Sequence, residues 1–202
     1  FDDLTYVHSV NVALIASILG QWLKFSEKDI RILTISGLLH DIGKIMIPNE
    51  ILTKPGKLTV AEYNIMKQHV NFGYEKVKNQ NIDIRIKEAC LLHHEKCDGT
   101  GHPFGLKSDH IPAVAKIIAI ADVYDAMTSA RVYRGALCPF EVIDTMYKDA
   151  FTKFEPEYIL PFLKNVASSY INNDVRLSDG RIGKVVLINE NALSLPIVQC
   201  ED

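Results

Sequence analysis

None of the cysteines is placed to ligate a structural zinc or to run a dithiol. Cys90, Cys97, Cys138 and Cys200 form no CxxC pair and no zinc-ribbon spacing, and a chain of 202 residues is too large to need disulfide staples. They read as reduced thiols, and we expect a cytoplasmic protein. An excess of one charge is also missing: 22 Lys and Arg against 25 Asp and Glu give a net charge of -3, which excludes a global pull toward a nucleic-acid polymer or an anionic membrane. Any phosphate-binding surface must be local. There is no unbroken run of eighteen apolar residues and no basic-then-apolar leader, so no membrane contact is expected of this stretch. Internal repeats and low-complexity segments are absent. The initial Met is absent too: the chain opens Phe1-Asp2-Asp3 inside an expected helix, so we expect a piece of a longer protein that carries an upstream sensor or receiver domain.

What is present is mostly helical pattern. Tyr6 to Leu23 shows Val10, Leu14, Ile18 and Leu19 at helical spacing, with His8 on a side shared by Val12 and Ala16. Asp29 to Leu39 follows, opened by Ser26 as N-cap with Asp29 three residues on, and leads into His40-Asp41. Thr59, three residues before Glu62, starts one long helix expected to carry His69 in mid-course and to fray near residues 78–81. Ile82 to Leu92 delivers His93 and His94 at a helix end. Ala113 to Met127 is apolar on most sides apart from Lys116, Asp122 and Asp125, the pattern of a buried helix. Phe140 to Ala150 and Glu157 to Tyr170 follow Pro139 and Pro156, which suit a first turn. Beyond Asn172 come Val175–Leu177, Lys184–Ile188 and Pro196–Val198, with turn residues between them. The expected class is mainly α, a helical bundle with a small C-terminal antiparallel β appendage, divided as 1–171 and 172–202.

Chemistry is concentrated in His8, His40, Asp41, His69, His93, His94 and Asp122, all in or beside apolar helical stretches. A carboxylate such as Asp122, flanked by Ile117 to Ala121 and Val123, costs several kcal/mol to bury without a partner, on the order of the desolvation penalty of an ion. A divalent cation is an effective partner. The set is rich in imidazole and carboxylate, which suits Fe, Mn, Zn, Co or Ni and argues against a Cys-type zinc site or an all-oxygen calcium site. Asp41 has two oxygens to share between two ions. Adjacent residues on a helix point about 100° apart, so His93 and His94 can serve two ions or converge on one.

The ordered series His8-Ser9, Leu38-Leu39-His40-Asp41-Ile42-Gly43-Lys44, Ile47-Pro48, Lys54 to Thr59, His69, His93-His94-Glu95, Asp98-Gly99-Thr100-Gly101-His102-Pro103, Ile111-Pro112 and Ala121 to Ser129 through Arg131, Tyr133 and Arg134 resembles the HD-GYP domains. These are a branch of the HD metal-dependent phosphohydrolases, and the resemblance covers about residues 5 to 165. It implies an HD-type helical catalytic domain with a binuclear metal centre that hydrolyses cyclic di-GMP, a bacterial second messenger, to linear pGpG or GMP by a metal-activated bridging water. His8, His40, Asp41 and Asp122 would hold one ion, and Asp41, His69, His93 and His94 the other, with Fe or Mn expected first. Catalytic roles fall to Asp41 and Lys44. Lys44, Gly101, His102, Pro103, Arg131 and Arg134 would meet the substrate, while Glu95 and Asp125 orient imidazoles or cap the loop. His110 is left to the surface.

Two departures matter. Gly101-His102-Pro103 stands where the family has Gly-Tyr-Pro, and Leu4 stands one turn before His8, where three-metal members resemble one another in carrying a Glu. Two ions are therefore expected. GGDEF-type domains and a second copy of the chain are the protein partners the resemblance suggests. Three other readings stay open: a cyclic di-GMP-binding signalling module with little turnover, an HD hydrolase of another nucleotide, and a diiron oxygenase, against which Lys44, Arg131 and Arg134 argue.

Overall fold

The computed structural model describes residues 3–129 and 135–200. Helices α1 (Asp3–Trp22) and α2 (Glu27–Leu39) form the first hairpin, followed by a 3-10 turn at Ile42–Met46 and a single helical turn α3 (Asn49–Leu52). Then come α4 (Val60–Met66), α5 (His69–Val77), α6 (Ile84–Leu92), a 3-10 turn at Ser108–His110, α7 (Ala113–Thr128), α8 (Pro139–Asp149) and α9 (Pro156–Ser168). Strands β1 (Asp174–Arg176), β2 (Ile182–Leu187) and β3 (Ile197–Cys200) make an antiparallel sheet in that order. Val175 faces Gly183 and Lys184 faces Gln199 across it.

The cap residues act as their chemistry dictates. Ser26 Oγ accepts the Asp29 N–H at the start of α2, and Thr59 with Glu62 forms a full capping box at the start of α4. The expected long helix from Thr59 is instead two helices. The chain turns at Lys67 and Gln68, so His69 opens α5 rather than lying in mid-helix.

Helix α7 is the axis of the core. Ile117, Ile118, Ile120 and Ala121 are fully buried among Leu19, Leu33, Ile143, Phe162 and Leu163. Each such aliphatic side chain contributes roughly 1.5–3 kcal/mol by leaving water. Within this apolar surround α7 also buries Asp122 and Asp125, one helical turn apart. Val185, Ile188 and Leu193, from the β-rich end of the chain, belong to the same core as the helices.

Helices α1 and α2 touch backbone to backbone: a Cβ added at Gly37 would lie 2.5 Å from Ala13 Cα. That contact selects the buried face of α1, which carries His8, Ser9, Val12, Ala13, Ala16 and Leu19. Of the stripe expected from Val10, Leu14, Ile18 and Leu19, only Leu19 lies on the core face. Leu14 and Ile18 are exposed, because α1 is apolar on more than one side and only its small residues fit against Gly37. By length and composition Leu4–Trp22 is apolar enough to cross a membrane, yet its other face packs on α2 and α7 and brings His8 inward.

Candidate metal centre

Three helix ends and two helix interiors converge on Asp41, which follows α2 and is almost fully buried. The close packing of the Ile42–Met46 turn on α5 puts it there. A Cβ at Gly43 would lie 1.9 Å from the His69 carbonyl oxygen, so only glycine lets the two segments meet. Around the Asp41 carboxylate, His40 Nε2 lies 3.3 Å and His8 Nε2 3.7 Å from Oδ2, while His69 Nε2 lies 3.2 Å and His93 Nε2 3.9 Å from Oδ1. Asp122 Oδ1 is 3.0 Å from His8 Nε2, and its Oδ2 is 3.8 Å from His94 Nδ1. All seven expected ligands are brought together. Six of them form two groups of close donors, His8-His40-Asp41 and Asp41-His69-His93-His94, that share Asp41, and Asp122 adjoins the first through His8. His93 and His94 thus converge on one group, their ring centroids 4.2 Å apart.

The orientation of each ring follows from where it sits on its helix. His40, His69 and His93 lie at helix ends, each with a backbone carbonyl about one turn back within reach of its ring. Their Nδ1–H groups donate to Gly37 O (2.7 Å), Met66 O (2.7 Å) and Ala89 O (2.9 Å). The break at residues 67–68 puts the His69 ring at the start of α5 with Nδ1 on Met66 O. His8 lies inside α1, where backbone carbonyls serve the helix, and its Nδ1 donates instead to Asp125 Oδ2 at 2.6 Å. Asn11 Nδ2 and Ser129 Oγ each donate to Asp125 Oδ1 at 2.9 Å.

At His40, His69 and His93 these bonds fix the tautomer and leave Nε2 with a lone pair aimed inward, whereas His8 Nε2 is hydrogen-bonded to Asp122 Oδ1 at 3.0 Å. Away from His8 and Lys44 the cluster is one of acceptors without donors. His69 Nε2 and His93 Nε2 face each other at 3.5 Å, and His40 Nε2 and Asp41 Oδ1 are buried without a hydrogen-bond partner. Buried lone pairs directed at one another are costly unless a cation lies between them. The donor set, imidazole nitrogens around a shared carboxylate with no thiolate, fits divalent transition metals.

The electrostatics differ across the cluster. Burial opposes charge on His8, but the hydrogen bonds to Asp122 and Asp125 outweigh it and push its pKa up to about 9. Burial brings His94 down to about 3 and holds His93 well below the usual imidazole range. Burial would raise the Asp41 carboxyl, yet the Lys44 ammonium and His40 beside it keep it well below the usual carboxylate range. Lys44 Nζ is half-buried and donates directly to Asp41 Oδ2.

Glu95 and Asp125 take the two supporting roles expected of them. Asp125 orients His8, and Glu95 caps the loop by accepting Phe104 N–H at 2.7 Å and Leu106 N–H at 2.9 Å. Gly101 has no room for a side chain: a Cβ there would lie 2.4 Å from Glu95 Cα and from Lys96 N. The ring of His102 stacks on His94 with centroids 4.8 Å apart. Pro103 follows it, half-buried, across a cis bond. His110 is exposed beside Asp109. Leu4 is exposed. Arg131 and Arg134 lie outside the described residues. Asn11 was not singled out from sequence; its position three residues after His8, on the same helix face, was the available signal. A second network also escaped notice, in which Lys116 Nζ donates to Ser108 Oγ (2.8 Å) and Glu155 Oε2 (2.6 Å) and ties the end of the loop to the start of α9.

The profile of a family described as HD domain matches residues 3–158. The chain is 37% identical over 199 residues to a cyclic di-GMP phosphodiesterase of Pseudomonas aeruginosa, covering 98% of this chain and 48% of that one. It is 35% identical over 158 residues to a 3'3'-cGAMP-specific phosphodiesterase of Vibrio cholerae, covering 77% and 30% respectively. The chain thus spans half or less of the length of these relatives. A solved HDG"Y"P protein of Bdellovibrio bacteriovorus has a similar fold, with a TM-score of 0.65 at 23% identity over 78% of this chain and 50% of that one.

Proposed function

Because the chain belongs to the HD domain family, we propose that the cluster around Asp41 is the active centre of a metal-dependent phosphodiesterase that hydrolyses cyclic di-GMP to linear pGpG or GMP. The observation that carries this reading is the sharing of one buried carboxylate by two groups of inward-facing lone pairs. His8, His40, Asp41 and Asp122 are proposed to hold one divalent ion, and Asp41, His69, His93 and His94 the second, with Fe or Mn first and Zn, Co or Ni as alternatives. When bound, such a pair would supply Lewis acidity and a water acidified toward a pKa of about 7.

The chain's own residues do the rest. Asp41 is shared by both groups, and the hydrogen bonds to Gly37, Met66, Ala89 and Asp125 hold the four rings with their Nε2 atoms facing inward. Lys44, already on the Asp41 carboxylate, is placed to neutralise a phosphate oxygen or to give the leaving oxygen its proton. The rim from Gly101 to Pro103 is proposed to receive a base, and Arg131 and Arg134 the second phosphate. Relatives named for cyclic di-GMP support that substrate, and the one named for 3'3'-cGAMP supports a second reading in which the bases differ. We place the activity in the cytoplasm and away from membrane and nucleic-acid polymers. An upstream sensor or receiver domain, a GGDEF-type domain and a second copy of the chain are the proposed partners.

The test is to reconstitute the protein with Mn(II), and separately with Fe(II) without oxygen, and to follow cyclic di-GMP and 3'3'-cGAMP by chromatography beside Asp41→Ala. Cleavage of cyclic di-GMP that vanishes in the variant is expected. Faster cleavage of 3'3'-cGAMP would move the assignment to the second reading, and tight binding of cyclic di-GMP without cleavage in either metal form would overturn the enzymatic one.

A further inference from the structure

A metal-bound imidazole is ordinarily held by a hydrogen bond on its other nitrogen, which fixes ring and tautomer together. Four of the five imidazoles in the cluster meet that requirement: His8 through Asp125, His40 through Gly37 O, His69 through Met66 O and His93 through Ala89 O. His94 does not. It lies past the end of α6, its side chain is 30% exposed, and the nearest carboxylate oxygen is 3.8 Å from Nδ1, beyond hydrogen-bond distance. Something else must hold the ring. Its inner neighbours are the buried rings of His69 and His93, at 5.1 and 4.2 Å between centroids. The remaining neighbour is His102, which lies nearly parallel to it, 4.8 Å away and tilted by 27°.

His102 is itself firmly placed. Its N–H donates to His94 O at 3.2 Å, Gly101 before it is pressed against the backbone of Glu95 and Lys96, and Glu95 holds the two amides that follow. Its Nε2 is buried and has no hydrogen-bond partner, so the ring is used for its face and not for its nitrogen. Stacked aromatic faces attract beyond their burial and in a defined relative orientation, which selects one rotamer.

We propose that His102 is a positioning residue for His94: its stacked ring does for this ligand what a hydrogen bond does for the other four. The inference rests on the binuclear reading and assigns to the ring face a role other than base stacking. It predicts that any flat ring at position 102 serves and that a small aliphatic side chain does not.

The experiment is calorimetric titration of metal-free protein with Mn(II), for the wild type, His102→Ala and His102→Phe, with circular dichroism to establish that each is folded. The wild type should take two ions. In His102→Ala the ion held by His69, His93 and His94 should bind about 10-fold more weakly, the low end of the effect of losing a supporting partner. His102→Phe should restore affinity to within about 3-fold of the wild type, since the stacked face is kept. Unchanged affinity in His102→Ala overturns the inference, as does a folded His102→Phe that binds as weakly as His102→Ala. A wild type that binds no Mn(II) overturns the binuclear reading itself, before either variant is compared.

Discussion

One half of the centre contains a ligand held differently from the rest: His8 is anchored by side-chain carboxylates, Asp122 at 3.0 Å and Asp125 at 2.6 Å, whereas His40 beside it and His69 and His93 across the centre are anchored by backbone carbonyls. Protonation follows burial and neighbouring charge. His8 is pushed up to about 9 and keeps its second proton at neutral pH, while His94 at about 3 and the still more buried His93 present free lone pairs. In the ion-free protein His8 is a cation standing in for a cation. The imidazole half should therefore fill first, and the carboxylate half should fill only as His8 gives up a proton.

Removing the shared element should have the largest effect. Asp41→Ala is expected to lose both ions and to cut phosphodiesterase activity on the order of 1,000-fold or more. Loss of one ion alone, by metal analysis, would show that the halves are independent after all.

Changing pH should separate the halves. Below about pH 9 each unit of acidity costs the His8 half about tenfold in ion affinity, because one proton must leave as the ion enters. The imidazole half should change less between pH 6.5 and 8.5, and titrations at both ends of that range check it. The ion-free fold carries the opposite sign. The raised pKa of His8 contributes stability that is fully present below about pH 6.5 and is lost as pH rises through 9. His94, with its lowered pKa, makes the ion-free fold lose stability as pH falls from about 6.5 toward 3. Thermal melts without metal should show both slopes.

Asp125→Ala should weaken only the ion on His8, by about 10–100-fold, with the imidazole half unaffected. Equal weakening of both would erase the distinction. The smallest expected change comes from Asn11→Ala, which removes one hydrogen bond to the Asp125 carboxylate; about 1 kcal/mol of stability, read by denaturant unfolding, is the expected cost.

Much of this was legible from residue type. Asp122 in an apolar run, Asp41 after Leu38-Leu39, and the caps at Ser26 and Thr59 each state a physical need that the fold then meets. The exposed stripe of α1 was not legible, because Val10, Leu14 and Ile18 repeat as regularly as the buried Val12, Ala16 and Leu19; the choice is made by Gly37 on another helix. The break at Lys67-Gln68 carries no Pro or Gly to announce it. It answers to the His69 ring, which needs Met66 O, and to Gly43, which needs the backbone of α5 close by. Local patterns name the candidate ligands, while contacts far apart in sequence decide how each one is held.

The most direct test is anomalous diffraction from crystals of the Mn(II)-loaded protein. Two peaks about 3.5–4 Å apart, both in contact with the Asp41 carboxylate and one on each side of it, are predicted. A single peak, a third peak near Leu4, or a pair that leaves Asp41 untouched would contradict the account.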